Sequence, residues 1–431
     1  MLKKKVKKSK KESKTKKVSK WENEIYAYAL KNAIEHEGKA KAGAVISGLF
    51  SKGLKREEVK EVMPKVQKIL DEVNSLSLEK QKKELEKYKD LIGHRSERVG
   101  LPELPNVPKT GIITRFAPSA SGFLHVGHVI SNIPASLYVK KYGGKFYVRI
   151  EDTDPERVDI NAYEQIKKDC DWIFGNVYEY IIQSDRMEIY YKYIKRLLEI
   201  GAAYVCTCNN EEFKEIISRK EECPCRKLGK EEHLKRWKKM LDPAGFKEGE
   251  AVVRFKSDVK HPNPAFRDFP LARINEHKHP RVGNKYRVWP LMNLSVAVDD
   301  IEYGMTHIIR GKDHRDNAER QKMIYHALGL DKKYPWTFFM GRIKFSDIEL
   351  SKRKIIEAIK EGKYSGFEDI RLPTIASLRK RGYKPEAFAK FAEQRGLSEV
   401  DKVMNQKDFF KIIDNFNKEV LAEERAEKDN K

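Results

Sequence analysis

The sequence has no long apolar run, and this absence excludes a helical membrane protein. Its longest stretch without Lys, Arg, Asp or Glu covers residues 116–139, and two prolines and two histidines interrupt it. A transmembrane helix needs about 20 predominantly apolar residues, so none is predicted. The first residues are rich in lysine and contain no apolar segment. We therefore expect no signal peptide and a cytoplasmic protein without membrane contact.

Cysteine is also scarce, and its distribution is uneven. Five cysteines in 431 residues are too few for a disulfide framework, which fits a reducing compartment. Four of them form two C-x-C pairs, Cys206 with Cys208 and Cys223 with Cys225, with fourteen residues between the pairs. Four thiolates in two close pairs can hold a structural zinc ion. Free buried thiols and a redox pair are the alternatives.

Acidic residues are too few to balance the basic ones. Lys and Arg number 88 against 65 Asp and Glu, which gives a formal net charge of +23. Such an excess indicates a polyanionic partner, most often nucleic acid. Residues 1–20 contain eleven lysines and one glutamate. They are predicted to form a disordered arm that attracts RNA without reading its sequence.

Apolar periodicity divides the rest of the chain. From residue 21 to about residue 95, apolar residues recur every three or four positions, which predicts a small helical domain. A proline-rich linker occupies residues 101–111. The segment GIITRF (111–116), a helix from about Leu124 to Tyr142 and the segment KFYVRI (145–150) then form a strand–helix–strand unit. Such a unit is typical of an α/β fold with a parallel, nucleotide-binding sheet.

The turn after the first strand has the features of a phosphate-binding loop. Free N–H groups and the helix dipole favour phosphate at a helix start. His125 and His128 are three residues apart, so both are expected on one face of the first helical turn. Gly127 leaves the backbone open to a flat ring. A two-histidine metal site and a chance pair of surface histidines are the alternatives, and no third ligand is near in sequence.

Two segments resemble the signatures of class I aminoacyl-tRNA synthetases. PSASGFLHVGH (118–128) resembles the HIGH motif, and the preceding Arg115 and Phe116 match the glutamyl/glutaminyl subgroup. LSKRK (350–354) resembles the second signature, KMSKS, in the form found in that subgroup. The resemblance covers about residues 95–396. It implies a class I Rossmann-like catalytic domain with a parallel sheet, ATP as a substrate and Mg²⁺ as its companion ion.

The resemblance also implies roles for individual residues. His125, His128 and Lys352 would be catalytic, because the Lys352 ammonium can neutralise the charge that develops on leaving pyrophosphate. The ATP-binding residues that it implies are Pro118, Ser119, Ala120, Ser121, Gly122, Leu124, Val126, Gly127, Gly311, Arg342, Ile343, Leu350 and Ser351.

The second strand ends in RIEDTDP (149–155), at a position where α/β sheets bind ligands. A turn with helix caps is an alternative, and both can hold. By the resemblance, Glu151 would bind the α-ammonium of the amino acid, and Arg310 would belong to the same pocket. Arg115 would pair with a side-chain carboxylate, which favours glutamate over glutamine. Met292 stands where the family has a tyrosine, and it cannot donate that hydrogen bond.

Periodicity and resemblance together predict seven parts of the chain. In the part that contains the four paired cysteines, basic residues such as Arg226 and Arg236 suit contacts with tRNA phosphates, although a solvated helix face is equally compatible with them. The predicted parts are a lysine-rich tail (1–20), an N-terminal helical domain (21–95), the first catalytic half (107–205), a zinc-binding insertion over the tRNA acceptor end (206–284), the second catalytic half (285–346), a helical stem-contact subdomain (347–420) and a charged tail (421–431).

The resemblance implies a glutamyl-tRNA synthetase of archaeal type. Glutamate and ATP would give glutamyl-adenylate, and the glutamyl group would pass to the 3′ end of tRNA. We expect a monomer whose partner is the tRNA acceptor stem. The last residues show no strand alternation typical of the family's anticodon-binding barrels. A separately encoded anticodon-binding module, a truncated chain and an enzyme that works without such a module are the alternatives. The alternatives are glutamyl transfer to a modified tRNA base, a glutaminyl-tRNA synthetase and a non-catalytic RNA-binding paralogue.

Overall fold

The computed structural model describes residues 21–91, 100–347 and 352–429. They fall into two compact units, one formed by residues 21–91 and the other by the later residues. The tail predicted at 1–20 lies outside the described residues. Within the described ranges, no helix is long and apolar enough to cross a membrane.

The first unit consists of helices packed around one core. The periodicity of apolar residues predicted them, and their helical character is confirmed. In the longest one, Val62, Val66, Ile69 and Val73 recur on one face and are buried. The helices are α1 (Glu22–Glu35), α2 (Ala42–Ser51), α3 (Val59–Asn74) and α4 (Leu78–Leu85).

The second unit combines strands with helices. Its strands are β1 (Ile112–Phe116), β2 (Gly144–Ile150), β3 (Glu179–Ile182), β4 (Ala203–Cys206), β5 (Val252–Phe255), β6 (Pro270–Ile274), β7 (Val288–Pro290), β8 (His307–Gly311), β9 (Trp336–Met340), β10 (Ile343–Phe345) and β11 (Lys402–Met404). Its helices are α5 (Val126–Val129), α6 (Ile133–Tyr142), α7 (Ala162–Phe174), α8 (Met187–Glu199), α9 (Asn210–Ser218), α10 (Lys230–Leu241), α11 (Met292–Glu302), α12 (Arg315–Ala327), α13 (Lys352–Lys360), α14 (Ile375–Lys380), α15 (Pro385–Arg395) and α16 (Gln406–Asp429).

The predicted parallel sheet is present. Strands β1, β2 and β3 are parallel neighbours, with Phe116 opposite Val148, and β8 pairs with β9 in parallel. The Thr306 N–H donates to the Ile113 carbonyl at 2.9 Å, which places the start of β8 beside β1. The carboxyl ends of β1, β2 and β8 therefore meet at one edge of the sheet.

Glycine is required where β2 begins against β1. A Cβ atom on Gly144 would lie 2.0 Å from the Ile112 carbonyl oxygen. Gly144 also has a φ of 112°, which favours glycine. Helices α6, α7 and α15 pack with the parallel sheet around a core that includes Phe146, Ile166 and Phe388. Cys170 belongs to this core, as its helical pattern indicates.

An antiparallel sheet follows the parallel one along the chain. Strands β4, β5, β6 and β7 pair in that order, and they pack with α8, α10, α11 and α12 around a core containing Trp289. The sheet extends from Ala203 to Pro290. The insertion predicted at 206–284 therefore cuts through its first strand and omits its last one.

Other features differ from the sequence prediction. The helix predicted from Leu124 to Tyr142 is two helices, because Pro134 in the first turn of α6 has no N–H to continue α5. The charged tail predicted at 421–431 is, as far as Asp429, the last part of the long α16. The parallel pairing of β10 with β11 brings residues 343–345 and 402–404 together, and it was not predicted.

Candidate active site

A cleft of about 970 Å³ opens where β1, β2 and β8 end. Phe116, Glu151 and Gly311, the last or next residues of these strands, all line it. This is the edge of the sheet at which ligands were expected. The predicted site residues that line the cleft are Pro118, Ser119, Ser121, Leu124, His125, Gly127, His128, Glu151, Met292, Gly311, Arg342 and Ile343.

Hydrogen bonds fix the loop after β1 to the end of β2. The Glu151 N–H donates to the Pro118 carbonyl at 2.8 Å, and the Ala120 N–H donates to the Glu151 carbonyl at 3.0 Å. Gly122 has a φ of 123°, which a residue with a side chain rarely adopts. The loop therefore presents a fixed backbone along one wall of the cleft.

His125 and His128 lie against each other in this wall. Their rings stack with centroids 3.6 Å apart and planes inclined by 26°. His125 has an extended backbone and precedes α5, so its predicted place inside the first helical turn is wrong. The Val126 N–H donates to the Pro373 carbonyl at 3.0 Å, and the Ile375 N–H donates to the Leu124 carbonyl at 3.0 Å. These two bonds connect the histidine segment to the start of α14.

Some predicted nucleotide residues do not line the cleft. Ala120 and Val126 are buried behind the loop, and Gly122 forms its turn. Leu350 and Ser351 lie outside the described residues. Lys352 is the first residue of α13, and its side chain also lies outside the described part of the chain.

Arg115 is buried and bound to an acid that sequence reasoning did not assign to it. Its Nε and Nη2 each lie 3.2 Å from an oxygen of Asp300 on α11. Arg149 Nη1 donates to the same carboxylate at 2.6 Å. Burial alone would raise the pKa of Asp300, but Arg115 and Arg149 outweigh it and hold that pKa below its usual value. Asp300 is therefore a carboxylate in the folded protein.

Arg149 joins this pair to the cleft. It is fully buried, and its Nη2 donates to Glu151 Oε1 at 3.0 Å. Its Nε lies 3.7 Å from Asp299, which also accepts a hydrogen bond from Arg186 at 2.7 Å. Because Glu151 lines the cleft, the buried ion-pair network ends at the predicted amino-acid site.

Arg310 is the member of this network with a neutral partner. Its Nη1 donates to Gln321 Oε1 at 2.8 Å, and its Nε has no hydrogen-bond partner among the described residues. Burial, and then the charge of Arg115, lower the pKa of Arg310 to about 10. The guanidinium is still charged at pH 7. It also acts on His314 in the cleft, whose pKa is lowered by burial and then by Arg310.

Met292 begins α11 and is partly exposed on the cleft. Met292 is also one of the residues that line the cleft. Arg342, the residue before β10, and Ile343, its first residue, also line the cleft, and so does Asp313. Arg342 Nε lies 4.0 Å from Asp313 Oδ1, and its N–H donates to Asp401 at 2.7 Å.

Several lining residues were missed by sequence reasoning. They share proximity to predicted ones, since they follow His128 or Ile343 in the chain, and this proximity is the signal that could have found them. They are Ser131, Asn132, Lys344 and Phe345. Asn132 Nδ2 donates to the His128 carbonyl at 2.9 Å, so it also holds the histidine turn.

The four paired cysteines form one cluster at the end of β4. Their Sγ atoms all lie within 4.8 Å of one another, and three of the separations are 3.4, 3.5 and 3.9 Å. A tetrahedral zinc ion with bonds of about 2.3 Å places its sulfur ligands roughly 3.8 Å apart. All four thiols are free in the structure. Cys206, Cys208, Cys223 and Cys225 therefore fit a metal ion.

Two of the basic residues predicted to contact phosphate have structural partners instead. Arg226 Nη1 pairs with the buried Asp268. Arg236 pairs with Glu232 at 2.9 Å, and its Nη1 donates to Cys225 Sγ at 3.3 Å. Such a donor to a ligand sulfur is the usual support of a thiolate metal site. The lysines of the same segment, Lys227, Lys230, Lys235, Lys238 and Lys239, are exposed.

The family model for the catalytic domain of the class I tRNA synthetases (E and Q) matches residues 111–423, which include the whole cleft. The chain belongs to this family. The resemblance found in its two signature segments is confirmed, and so is the predicted class I synthetase fold with its parallel sheet. The chain is accordingly an aminoacyl-tRNA synthetase by family.

Curated relatives agree with this family. The chain is 45% identical over 401 residues to a glutamate–tRNA ligase of Methanocaldococcus jannaschii, covering 93% of this chain and 71% of the relative. It is 45% identical over 388 residues to a glutamate–tRNA ligase of Pyrococcus furiosus, covering 88% of this chain and 67% of the relative.

A solved structure has a fold similar to that of this chain. It is a glutamate tRNA ligase from Elizabethkingia meningosepticum in complex with its amino acid, with a TM-score of 0.51 and 23% identity. The match covers 72% of this chain and 69% of that one. At this identity the similarity supports the synthetase fold and nothing finer.

Proposed function

We propose that this chain is a glutamate–tRNA ligase, which activates glutamate with ATP and transfers the glutamyl group to the 3′ end of tRNA. The observation that carries the proposal is the cleft, in which the stacked His125 and His128 face the same space as Glu151 and Arg342. The 45% identity to archaeal glutamate–tRNA ligases supports the choice of amino acid and acceptor.

The first step is attack of the glutamate carboxylate on the α-phosphate of ATP. This step requires positioning and charge neutralisation more than acid–base catalysis. His125 and His128 hold the phosphates. The nucleotide lies between the loop after β1 and two residues at the other wall, Arg342, which precedes β10, and Ile343, its first residue. Lys352 at the start of α13 neutralises charge on the leaving pyrophosphate, and a Mg²⁺ ion bound with ATP would supply further positive charge there.

The buried network selects an acidic side chain. Among the described residues, it contains the guanidinium groups of Arg115, Arg149, Arg186 and Arg310. They face the carboxylates of Glu151, Asp299 and Asp300, which leaves one positive charge in excess. Burying an uncompensated charge is costly, so the site gains most from a ligand with a carboxylate. Both amino acids have the α-carboxylate that attacks ATP, but only glutamate has a second carboxylate, on its side chain, that can balance this charge.

The insertion binds the acceptor end of the tRNA. The Cys206–Cys225 cluster binds one structural zinc ion, which fixes the turn at Pro224–Lys227 against β4. The exposed lysines of α10 then lie on the same small module and contact acceptor-stem phosphates. We place the enzyme in the cytoplasm, where free thiols persist and tRNA is available.

The proposal is tested by charging tRNA with radiolabelled glutamate. Intact tRNA should acquire label that mild alkali releases, as expected of an ester at the 3′ ribose. The same tRNA oxidised with periodate, which destroys the terminal diol, should acquire none. Label on the oxidised tRNA would assign the chain to base modification instead. Absence of label on both, with folded and zinc-loaded protein, would refute glutamyl transfer.

A further inference from the structure

Gln321 on α12 is a buried residue whose amide orientation is fixed by chemistry. Its Oε1 accepts the hydrogen bond from Arg310 Nη1 at 2.8 Å, and a guanidinium can only donate. The Gln321 amide nitrogen must therefore point away from Arg310 Nη1. That nitrogen, Nε2, is buried and has no hydrogen-bond partner among the described residues.

Arg310 has a second hydrogen-bond donor without a partner among the described residues, beside that of Gln321. Arg310 Nε is buried and likewise has no partner within the described part of the chain. The two side chains are bonded to each other, so their unused donors belong to one polar site. Arg149 Nε and Arg186 Nη2 also lack a hydrogen-bond partner among the described residues, but those two guanidinium groups have carboxylate partners. The donors of Arg310 and Gln321 have none in the described part of the chain, so together they suit a ligand that accepts hydrogen bonds.

The site lies next to the cleft and is electrically unbalanced. Gly311, which follows Arg310, and His314 both line the cleft. After burial, the charge of Arg310 is the largest cause that lowers the pKa of His314. Arg115 and Arg149 have carboxylate partners, whereas the partner of Arg310 is a neutral amide. The excess positive charge of the network therefore resides at Arg310.

We propose that Gln321 is a specificity-determining residue of the amino-acid site: it positions Arg310 without neutralising it and adds its own N–H donor for the side-chain carboxylate of the substrate. The inference rests on the proposed function and names the residue that gives the site its preference for glutamate. A site made of donors alone accepts both oxygens of a carboxylate. The side-chain amide of glutamine would place its own NH₂ group against these donors, which costs binding.

The residue type at 321 matters through its charge. A carboxylate at this position would pair with Arg310, cancel the excess charge and replace a donor with an acceptor. Gln321→Glu should therefore raise the KM for glutamate at least tenfold in tRNA-dependent pyrophosphate exchange, with the KM for ATP unchanged. The ratio of kcat/KM for glutamate to that for glutamine should fall at least tenfold, because only the anionic substrate is repelled.

Two further variants separate charge from packing. Gln321→Met has a similar volume and no charge, but it also lacks the N–H donor, so it should raise the KM for glutamate and lower the glutamate preference clearly less than Gln321→Glu does. Tyr325→Phe, one turn further along the same face of α12, removes a buried hydroxyl without changing charge. It should leave the preference unchanged.

The thermal midpoint provides an independent readout. Because a Glu at 321 gains an ion pair with Arg310, the midpoint of Gln321→Glu should not fall. An equal loss for both amino acids, or a ratio unchanged within twofold, would give Gln321 a merely structural role and overturn the inference. Loss of preference in Gln321→Met equal to that in Gln321→Glu would overturn it too. If the unmodified chain activates no glutamate, the proposed function fails, and that outcome is distinct from these.

Discussion

Arg115 and Asp300 form a bidentate pair in which Nε and Nη2 of the guanidinium each lie 3.2 Å from a carboxylate oxygen. The residue expected to meet the substrate is thus held by a buried acid 185 positions away. The pair fixes the guanidinium in one orientation and takes up part of its charge. A substrate carboxylate must then be bound by donors that the pair does not occupy, and Arg310 has one.

Removal of the Asp300 charge should destabilise the protein strongly. In Asp300→Asn, Arg115 and Arg149 lose their shared carboxylate while both stay buried. The free energy of unfolding should fall by about 3–5 kcal/mol, the usual cost of leaving a buried charge unpaired. Urea unfolding of the zinc-loaded protein measures it. Asp154→Asn is the matched control, because its pairs with Arg157 and Arg273 are solvent-exposed. It should change stability by less than about 1 kcal/mol. Equal effects would mean that the buried pair contributes little.

The histidine pair should be essential for adenylate formation. His128→Ala removes an imidazole that faces the cleft, so kcat for pyrophosphate exchange should fall roughly 10²–10³-fold, as for loss of one oriented donor in an active site. Circular dichroism and the thermal midpoint should change little. His326→Ala, which removes an exposed imidazole paired with Asp331, is the control and should keep full activity. Retention of more than a tenth of the activity in His128→Ala would rule out its catalytic role.

The cysteine cluster should bind one zinc ion per chain. Metal analysis of the purified protein should give a stoichiometry near one, and Cys208→Ser should lose the ion because a hydroxyl is a poor zinc ligand. The variant should also lose tRNA charging, since the cluster lies in the insertion that is proposed to contact the acceptor stem. Cys170→Ala should keep its zinc, because Cys170 belongs to the core beside the parallel sheet. Full zinc content in Cys208→Ser would contradict a four-cysteine site.

Asp169 on α7 should make stability depend on pH. Burial raises the pKa of this carboxyl to about 7, although Arg379 lies 3.9 Å away. Between about pH 4 and 7 the folded chain holds a proton that the unfolded chain has released, so the free energy of unfolding falls as pH rises through this window. The loss is at most about 4 kcal/mol.

Asp169→Asn tests this titration directly. The amide stays neutral at every pH, so the variant should lose this part of the pH dependence and exceed the unmodified protein in stability at pH 8. Denaturant unfolding at pH 5 and pH 8 measures the difference. A stability gap between the two proteins that is equal at both pH values would show that Asp169 does not titrate in this window.

The motif residues of the candidate site were easier to find in the sequence than the residues that hold them in place. His125, His128, Glu151 and the four cysteines could be found because each lies in a short motif whose spacing is local. Asp300 and Gln321 could not, because no motif marks their partners: Asp300 binds Arg115, which lies 185 positions away, and Gln321 binds Arg310 only once α12 lies beside β8. The strands β4, β5 and β6 were missed for another reason: they are four or five residues long and separated by long loops, so they show no alternation.

Pyrophosphate exchange with glutamate or glutamine, each with and without tRNA, tests the central claim most directly. The unmodified chain should exchange pyrophosphate with glutamate in the presence of tRNA, with a kcat/KM at least a hundredfold above that for glutamine. Exchange that prefers glutamine, or no exchange with either amino acid by folded protein in the presence of tRNA, would contradict glutamate activation at this cleft.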